Sequence, residues 1–495
     1  MASSSSKETD IEEEKKPLIP PESKAEPENG SIYRQLFLGM VVVLPSIAAG
    51  MAIGFSATSL DSIPITISDG SWFASTVFLG IAVGCSMIYP VMEKYGRKPS
   101  LISSCIIAIV GWLYLSIRAG PPSLGKLLIG RFITGVSAGM TSAPAAAYAT
   151  ECLSVENAEL RAVLITWSTV AMSIGILFSY VMGAMLAYYK VASLAVLISV
   201  FAFIMVAIFI PESPSWLQSK GRTGDAEWAQ KQLKIKAPAK PTEGSTTQTS
   251  STDTGSQPQL SFLDSLKEFE KPEAYKPLLI MIFFFFFQQF SGVYIVITYM
   301  VDITRIAGIV LFNPYFITVV GGTLILIVSV GASFVYPKTS VRAIACISGF
   351  GMACSMLFIA IYITVRRSWL IGPTYSIVNF LPLLALLCNI VCSTIGFLIL
   401  PWSMIGDVFP LQVKGLASGV TTSLGYIFSF VAIKMFPSVS MGLGSAGTFY
   451  FFGIMSVFGT LFVYYYLPET RGKTLEQVLD GWSKKTKYDQ QVETA

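Results

Sequence analysis

Residues 277–300 read PLLIMIFFFFFQQFSGVYIVITYM. No charged residue interrupts this stretch, and its apolar residues run on without alternating. About 20 apolar residues of helix cross the ~30 Å hydrocarbon core of a bilayer. Backbone facing lipid satisfies its hydrogen bonds only as helix or closed barrel, and a barrel strand would alternate. The stretch therefore predicts a membrane-spanning helix. Working outward, comparable runs fall near 35–60, 72–91, 100–118, 127–149, 162–186 and 190–210 before it. Others follow near 311–336, 341–364, 378–408, 415–436 and 446–467. The sequence thus predicts an all-α membrane protein with twelve transmembrane helices.

Composition agrees. Over 495 residues the hydrophobic set is 53% and charged residues are 13%, about half the ~25% usual for soluble domains. Too few charges are present to cover a soluble surface of this size. The net charge of +4, from 34 basic and 30 acidic residues, is too weak and scattered for a nucleic-acid footprint. The chain has no histidine, which excludes a histidine base, metal ligand or proton relay. The seven cysteines lie in or beside apolar runs and form no CxxC pair, so they read as buried, inert thiols.

The spans fall into two groups of six. Residues 1–34 are a polar, acidic, Pro/Ser-rich tail expected to be disordered. Residues 35–210 hold the first half, 211–275 a hydrophilic linker, 276–467 the second half and 468–495 a charged tail. Duplication supports the pairing. Pro211-Glu212-Ser213 recurs as Pro468-Glu469-Thr470, 257 positions later. Glu151 recurs as Asp407 at 256 positions, and Arg161 as Lys414 at 253. Paired halves place a substrate site at their interface near the midplane, with the halves rocking about it. Basic residues in the loops beside Lys94, Arg97 and Lys98, with the lysine-rich linker and tail, put both termini on the cytoplasmic side.

Several motifs carry chemistry. Gly120-Pro-Pro-Ser-Leu-Gly125-Lys126-Leu127 nearly spells a phosphate loop, but Leu127 replaces the Mg²⁺-binding hydroxyl and two prolines break it. An ATP-driven pump is not expected. Gly50/Gly54, Gly80/Gly84, Gly135/Gly139 and Gly415/Gly419 are pairs that let helices pack closely. The short loop Glu93-Lys-Tyr-Gly-Arg-Lys-Pro99 offers Arg97 to an acid such as Glu151. With the acid-then-base repeat, this suggests a conformational latch of Arg97, Glu151, Arg161, Asp407 and Lys414.

These pieces together resemble the sugar porters of the major facilitator superfamily, near the facilitative hexose and trehalose transporters. The matching residues are YGRKP (95–99), GRFITGVSAG (130–139), Tyr148 to Glu151 with Arg161, and PESPSWL (211–217). QQFSG (288–292), Pro401-Trp402 with Asp407-Val-Phe-Pro410, Lys414-Gly415 and PETRGKTLEQV (468–478) continue in family order. The resemblance implies the major facilitator fold of two six-helix halves and transport of a neutral sugar. It implies no cofactor and no enzymatic activity.

By resemblance, Gln288 and Gln289 hold sugar hydroxyls, and an amide suits them by offering both donor and acceptor. Trp402 would offer an apolar face to a pyranose. Elsewhere the family's polar ligands are replaced: the span 5 glutamine by Thr169, an asparagine by Tyr294 and a polar residue before the tryptophan by Thr394. The span 11 asparagine–tryptophan pair aligns with Gly425-Tyr426. Thr169, Tyr294, Tyr299 and Thr394 are expected to line the rest of the pocket. On an ideal helix Gln288 and Gln289 point about 100° apart, and Tyr294 points away from Gln288 unless the helix unwinds. The second basic loop is eroded, with Ser340-Val341-Arg342 where the family has GRR and Pro337 where it has an acid.

No Asp, Glu or His occupies the centre of a span, and Gly54-Phe55-Ser56 stands where proton-coupled sugar porters carry an aspartate. Facilitative uniport of a hexose or a disaccharide such as trehalose is therefore expected. A non-transporting sugar sensor, or a porter of another neutral solute such as a polyol, are the alternatives. Glu14, Leu18 and Ile19 resemble an acidic dileucine signal for a sorting adaptor. The plasma membrane is the favoured address, with an endosomal or lysosomal membrane the alternative.

Overall fold

A computed structural model describes residues 29–118, 123–152, 158–233, 271–309, 311–368, 380–410, 413–470 and 477. The first half contains α1 (Asn29–Ser59), α2 (Ile67–Tyr95), α3 (Arg97–Ser116), α4 (Leu124–Cys152), α5 (Ala158–Met185) and α6 (Tyr188–Phe209). Two short helices follow, α7 (Pro214–Ser219) and α8 (Thr223–Leu233). The second half contains α9 (Pro272–Phe290), α10 (Val293–Thr298), α11 (Met300–Ile306), α12 (Pro314–Val335) and α13 (Val341–Ser368). It ends with α14 (Leu381–Ile395), α15 (Leu400–Val408) and α16 (Lys414–Tyr466).

Among the described residues nine helices are long and apolar enough to span a bilayer. One of them, the 53-residue α16, is two spans, because Gly444 breaks it with a φ of 70° and ψ of 175°. The small-residue helix α4 and the shorter apolar stretch Ala274–Phe290 complete twelve. The chain is an all-α membrane protein with the twelve-helix major facilitator fold. Adjacent spans alternate in direction. One end of the bundle, the terminal face, therefore gathers the entry of α1, the α2–α3 turn, α7 and the exit of α16. The opposite end is the distal face.

The small-residue pairs act where two helices cross. A Cβ on Gly80 would stand 2.3 Å from the Phe132 carbonyl oxygen, and one on Gly135 would stand 2.1 Å from that of Val77. The backbones of α2 and α4 approach so closely that only glycine fits. Gly415 departs from this expectation: nothing lies within 4 Å of a Cβ there. Serines tie the halves laterally. Ser86 and Ser423 hydroxyls are 2.8 Å apart, and Ser173 and Ser329 hydroxyls 3.0 Å apart.

The first part of the linker holds α7, which docks on the first half. The Ser213 hydroxyl accepts from the Trp216 N–H to cap α7, and Trp216 Nε1 donates to the Glu93 carbonyl at 3.1 Å. The cysteines are all free, but only Cys85, Cys105 and Cys152 are buried, while Cys354 and Cys388 are exposed on the bundle's outer surface. An apolar thiol loses nothing by facing lipid, so apolar context alone did not fix which way it points.

Candidate functional site

The central site is built around a break in the seventh span. Gly292 adopts φ 92°, so α9 stops at Phe290 and α10 restarts at Val293 in a new direction. Two long amides reach the break. Gln288 Nε2 donates to the Phe397 carbonyl at 2.5 Å and to Leu398 O at 3.3 Å. Those acceptors lie in the other broken segment, residues 396–399 between α14 and α15, where Gly396 and Ile399 carbonyls take backbone N–H donors while those of Phe397 and Leu398 serve the amide. Gln289 Nε2 donates to Gln288 Oε1 at 3.0 Å. The amides therefore meet despite the ~100° between adjacent positions, because three rotatable bonds in each side chain bridge the angle. Both residues are fully buried.

Trp402 sits beside them. The Phe285 ring lies 4.6 Å away at a steep angle, one turn before Gln289 and on its face of α9. Tyr426 stacks on the indole at 4.6 Å with a 29° tilt. The tryptophan face therefore carries a protein ring, which corrects the expectation of an open apolar platform. Its Nε1 is turned toward the Tyr294 hydroxyl without closing a full hydrogen bond, and Gln289 Oε1 is buried without a partner. Tyr294 lies past the helix break, faces Trp402, and meets Phe78 of the first half edge-on at 5.6 Å.

The other predicted lining residues are not all gathered here. The Thr394 hydroxyl donates to Ile390 O of its own helix at 2.7 Å. Tyr299 stacks on Phe436 at 4.7 Å and directs its hydroxyl to the Ile433 carbonyl at 3.4 Å, plugging the distal side. Thr169 is half-buried on α5, one turn before Ser173, which donates to its carbonyl. A flank groove of about 220 Å³, lined by Leu44, Ile47, Ile174, Phe178, Ile198 and Phe201, exposes no polar atom and is no sugar site.

Arg131 is fully buried. It donates to Ala52 O at 2.7 Å, to Ser56 Oγ at 2.8 Å and to Phe73 O at 3.2 Å. The rings of Phe55 and Phe73 lie 5.6 and 5.1 Å from its guanidinium carbon. Among the described residues no carboxylate pairs with it.

At the terminal face Arg97 reaches Glu151 Oε1 through Nε at 3.2 Å and Nη2 at 2.5 Å. Both residues belong to the first half, so the pair fastens the start of α3 to the end of α4 and does not itself bridge the halves. The Ser213 hydroxyl donates to the other oxygen of Glu151 at 2.5 Å. Glu212 accepts from the backbone N–H of Arg97 at 2.8 Å and of Lys98 at 3.2 Å, capping α3. Burial pushes its carboxyl above the usual range, and these N–H donors pull against that shift. Lys414 is half-buried at the start of α16, while the side chains of Arg161 and Asp407 lie outside the described residues, as do Glu14, Leu18 and Ile19.

The sequence reading missed the distal cluster. Arg305 of the second half donates from Nη1 to Asp61 Oδ1 of the first at 3.1 Å, and Nη2 meets Oδ2. Asp61 holds the guanidinium more basic than usual. The Tyr315 hydroxyl adds a bond to Asp61 at 2.8 Å. The available signal was a lone Asp61 closing the first span and Arg305, with Asp302 one turn before it and 3.4 Å from its Nη1, closing the seventh.

The family model described as "Sugar (and other) transporter" matches residues 29–482. A facilitated trehalose transporter of Aedes aegypti is 28% identical over 456 residues, covering 90% of this chain and 55% of that protein. One of Culex quinquefasciatus is 28% identical over 462 residues, covering 92% and 86%. This chain thus spans about half of the first relative and most of the second. The xylose transporter XylE from E. coli, in its inward open conformation, superposes with a TM-score of 0.69 at 17% identity. That match covers 90% of this chain and all of the other.

Proposed function

This chain belongs to the sugar transporter family, and from that membership we propose that it carries a neutral sugar by facilitative, alternating-access transport. The relatives named as trehalose transporters support a disaccharide or hexose as the solute. The observation that carries the reading is the pair of unsatisfied atoms at the centre. Gln289 Oε1 is an acceptor without a donor, and Trp402 Nε1, facing the Tyr294 hydroxyl, closes no full hydrogen bond. One sugar hydroxyl answers both, since it donates and accepts at once. The surrounding rings of Phe285, Tyr294 and Tyr426 suit the apolar faces of a pyranose.

Downhill transport is read from span centres that carry no Asp, Glu or His, and Arg131 supplies no proton carrier in their place. Its partners are carbonyls, aromatic rings and the Ser56 hydroxyl, none of which exchanges a proton in the physiological range. We place the terminal face in the cytoplasm and favour the plasma membrane. Uptake of labelled trehalose and glucose into proteoliposomes tests the reading. Gln289→Ala and Trp402→Phe are each expected to weaken binding by about 1–3 kcal/mol, the effect of an unpaired buried partner. An imposed proton gradient at clamped potential should leave flux unchanged. Parent-like binding and flux in both variants, or uphill accumulation driven by protons, overturns the assignment.

A further inference from the structure

The distal end holds more polar chemistry than its closure requires. Thr58 and Ser59 lie in the last turn of α1, Ser179 lies on α5 and Thr298 ends α10. All four are at most 2% exposed, and the hydroxyl of each has no hydrogen-bond partner. Their neighbours bring these three helices together. The Tyr180 hydroxyl donates to Ile297 O at 2.5 Å, and a Cβ on Gly183 would stand 1.9 Å from Thr58 Oγ1.

An orphaned hydroxyl is unusual in a helix. Buried serines and threonines normally return a bond to the carbonyl one turn back. Ser75 does so to Ser71 O, Ser199 to Ala195 O and Thr304 to Met300 O, each at 2.8 Å, whereas Thr421, far from these helices in sequence on α16, does not. These four make no such bond. Leaving a buried hydroxyl unpaired is unfavourable, and four where three helices meet mark a place built for a partner that arrives at another stage of the cycle.

Just beyond them lies the roof: Arg305 on Asp61, with Tyr315 donating to the same carboxylate. Lys434 stands nearby, donating to Ser71 Oγ at 2.6 Å and lying 4.2 Å over the Trp72 ring. Because Asp61 belongs to the first half and Arg305 and Tyr315 to the second, parting the halves here breaks the roof and wets the hydroxyls beneath.

We infer that Thr58, Ser59, Ser179 and Thr298 form a second, distal station for a polyhydroxylated solute, roofed by the Asp61–Arg305–Tyr315 cluster. Thr298 lies nine positions beyond Gln289 and past the break at Gly292, toward the distal end of the seventh span. A solute entering from the distal face therefore meets the station before the central site. The inference rests on the sugar-carrying reading and gives it a directional step: hydroxyls exchange water for sugar at the distal face first.

The test uses proteoliposomes of known orientation exchanging labelled glucose, with maltotriose added to one face as a competitor. In Thr58→Val/Ser179→Ala/Thr298→Val, the maltotriose inhibition constant at the distal face is expected to rise at least fivefold. At the terminal face it should stay within twofold. Gln289→Ala, touching the central site, should weaken inhibition from both faces. If the triple variant does not reach the bilayer, Thr298→Val alone is measured the same way, with at least a twofold distal rise expected. An equal change at both faces, or none, overturns the distal station while leaving sugar transport standing. A parent protein that exchanges no sugar sinks the underlying reading instead.

Discussion

The turn between α2 and α3 and its counterpart between α12 and α13 solve the same problem with one part missing. In the first, Glu212 accepts from the N–H of Arg97 at 2.8 Å and of Lys98 at 3.2 Å. In the second, Glu469 accepts from Val341 N at 3.1 Å and Arg342 N at 3.4 Å. Each acid comes from the segment that leaves the sixth span of its half. Each caps a helix start, where N–H groups lack partners and negative charge is favoured. The following base also matches. Lys98 Nζ donates to Ala207 O at 2.9 Å near the end of α6, and Arg342 Nε donates to Leu467 O at 2.8 Å just after α16.

The difference is the middle residue. Arg97 pairs with Glu151, whereas its counterpart is Val341, which has no charge to offer. Helix capping is thus separable from the ionic contact. Capping satisfies backbone groups that every copy of the helix possesses, so both halves need it. The ion pair fastens α3 to α4 within the first half, and the second half lacks its counterpart.

The largest effect that tests this comparison should come from removing the caps. Glu212→Ala and Glu469→Ala are each expected to destabilise by about 3 kcal/mol, since charged acceptors of backbone N–H groups are lost. Thermal unfolding in detergent should show similar drops for the two. A drop confined to one half would break the equivalence. Next, Arg97→Ala should shift the balance between terminal-face and distal-face opening by about 2 kcal/mol. Labelling rates of cysteines introduced at the terminal face read this directly. Arg342→Ala loses one carbonyl contact and should cost about 1 kcal/mol of stability with no shift in that labelling. An equal labelling shift in both variants would mean that the second base has taken over the ionic role. The smallest effect belongs to Val341→Arg, which restores the missing guanidinium. At most about 1 kcal/mol of slowed opening is expected at a partly exposed site.

Much of this architecture was legible along the chain. Twelve apolar runs, the offset repeat of Pro211-Glu212-Ser213 at Pro468-Glu469-Thr470, and the paired amides Gln288-Gln289 are local patterns. The repeat marked duplication, but its chemical purpose as two helix caps needed the neighbours in space. At the break in the seventh span Gln288 and Gln289 are buried and bonded to one another, while Thr394 spends its hydroxyl on its own helix and Tyr299 directs its hydroxyl to Ile433 O. Periodicity cannot foresee either result, because each depends on rotamer and on a helix break.

The sequence by itself determined that the chain crosses a bilayer many times, that it is built from two related halves, and that it has no central proton-exchanging acid. Hydrophobic length and composition suffice for those, since the bilayer acts on each span separately. Only the tertiary structure decided which polar atoms are left unpaired, which ring covers Trp402, and that Asp61 meets Arg305 across 244 positions. Such contacts depend on how helices distant in sequence are turned and broken against one another, and in a low-dielectric interior each unmet hydrogen bond then becomes a specific demand on the solute.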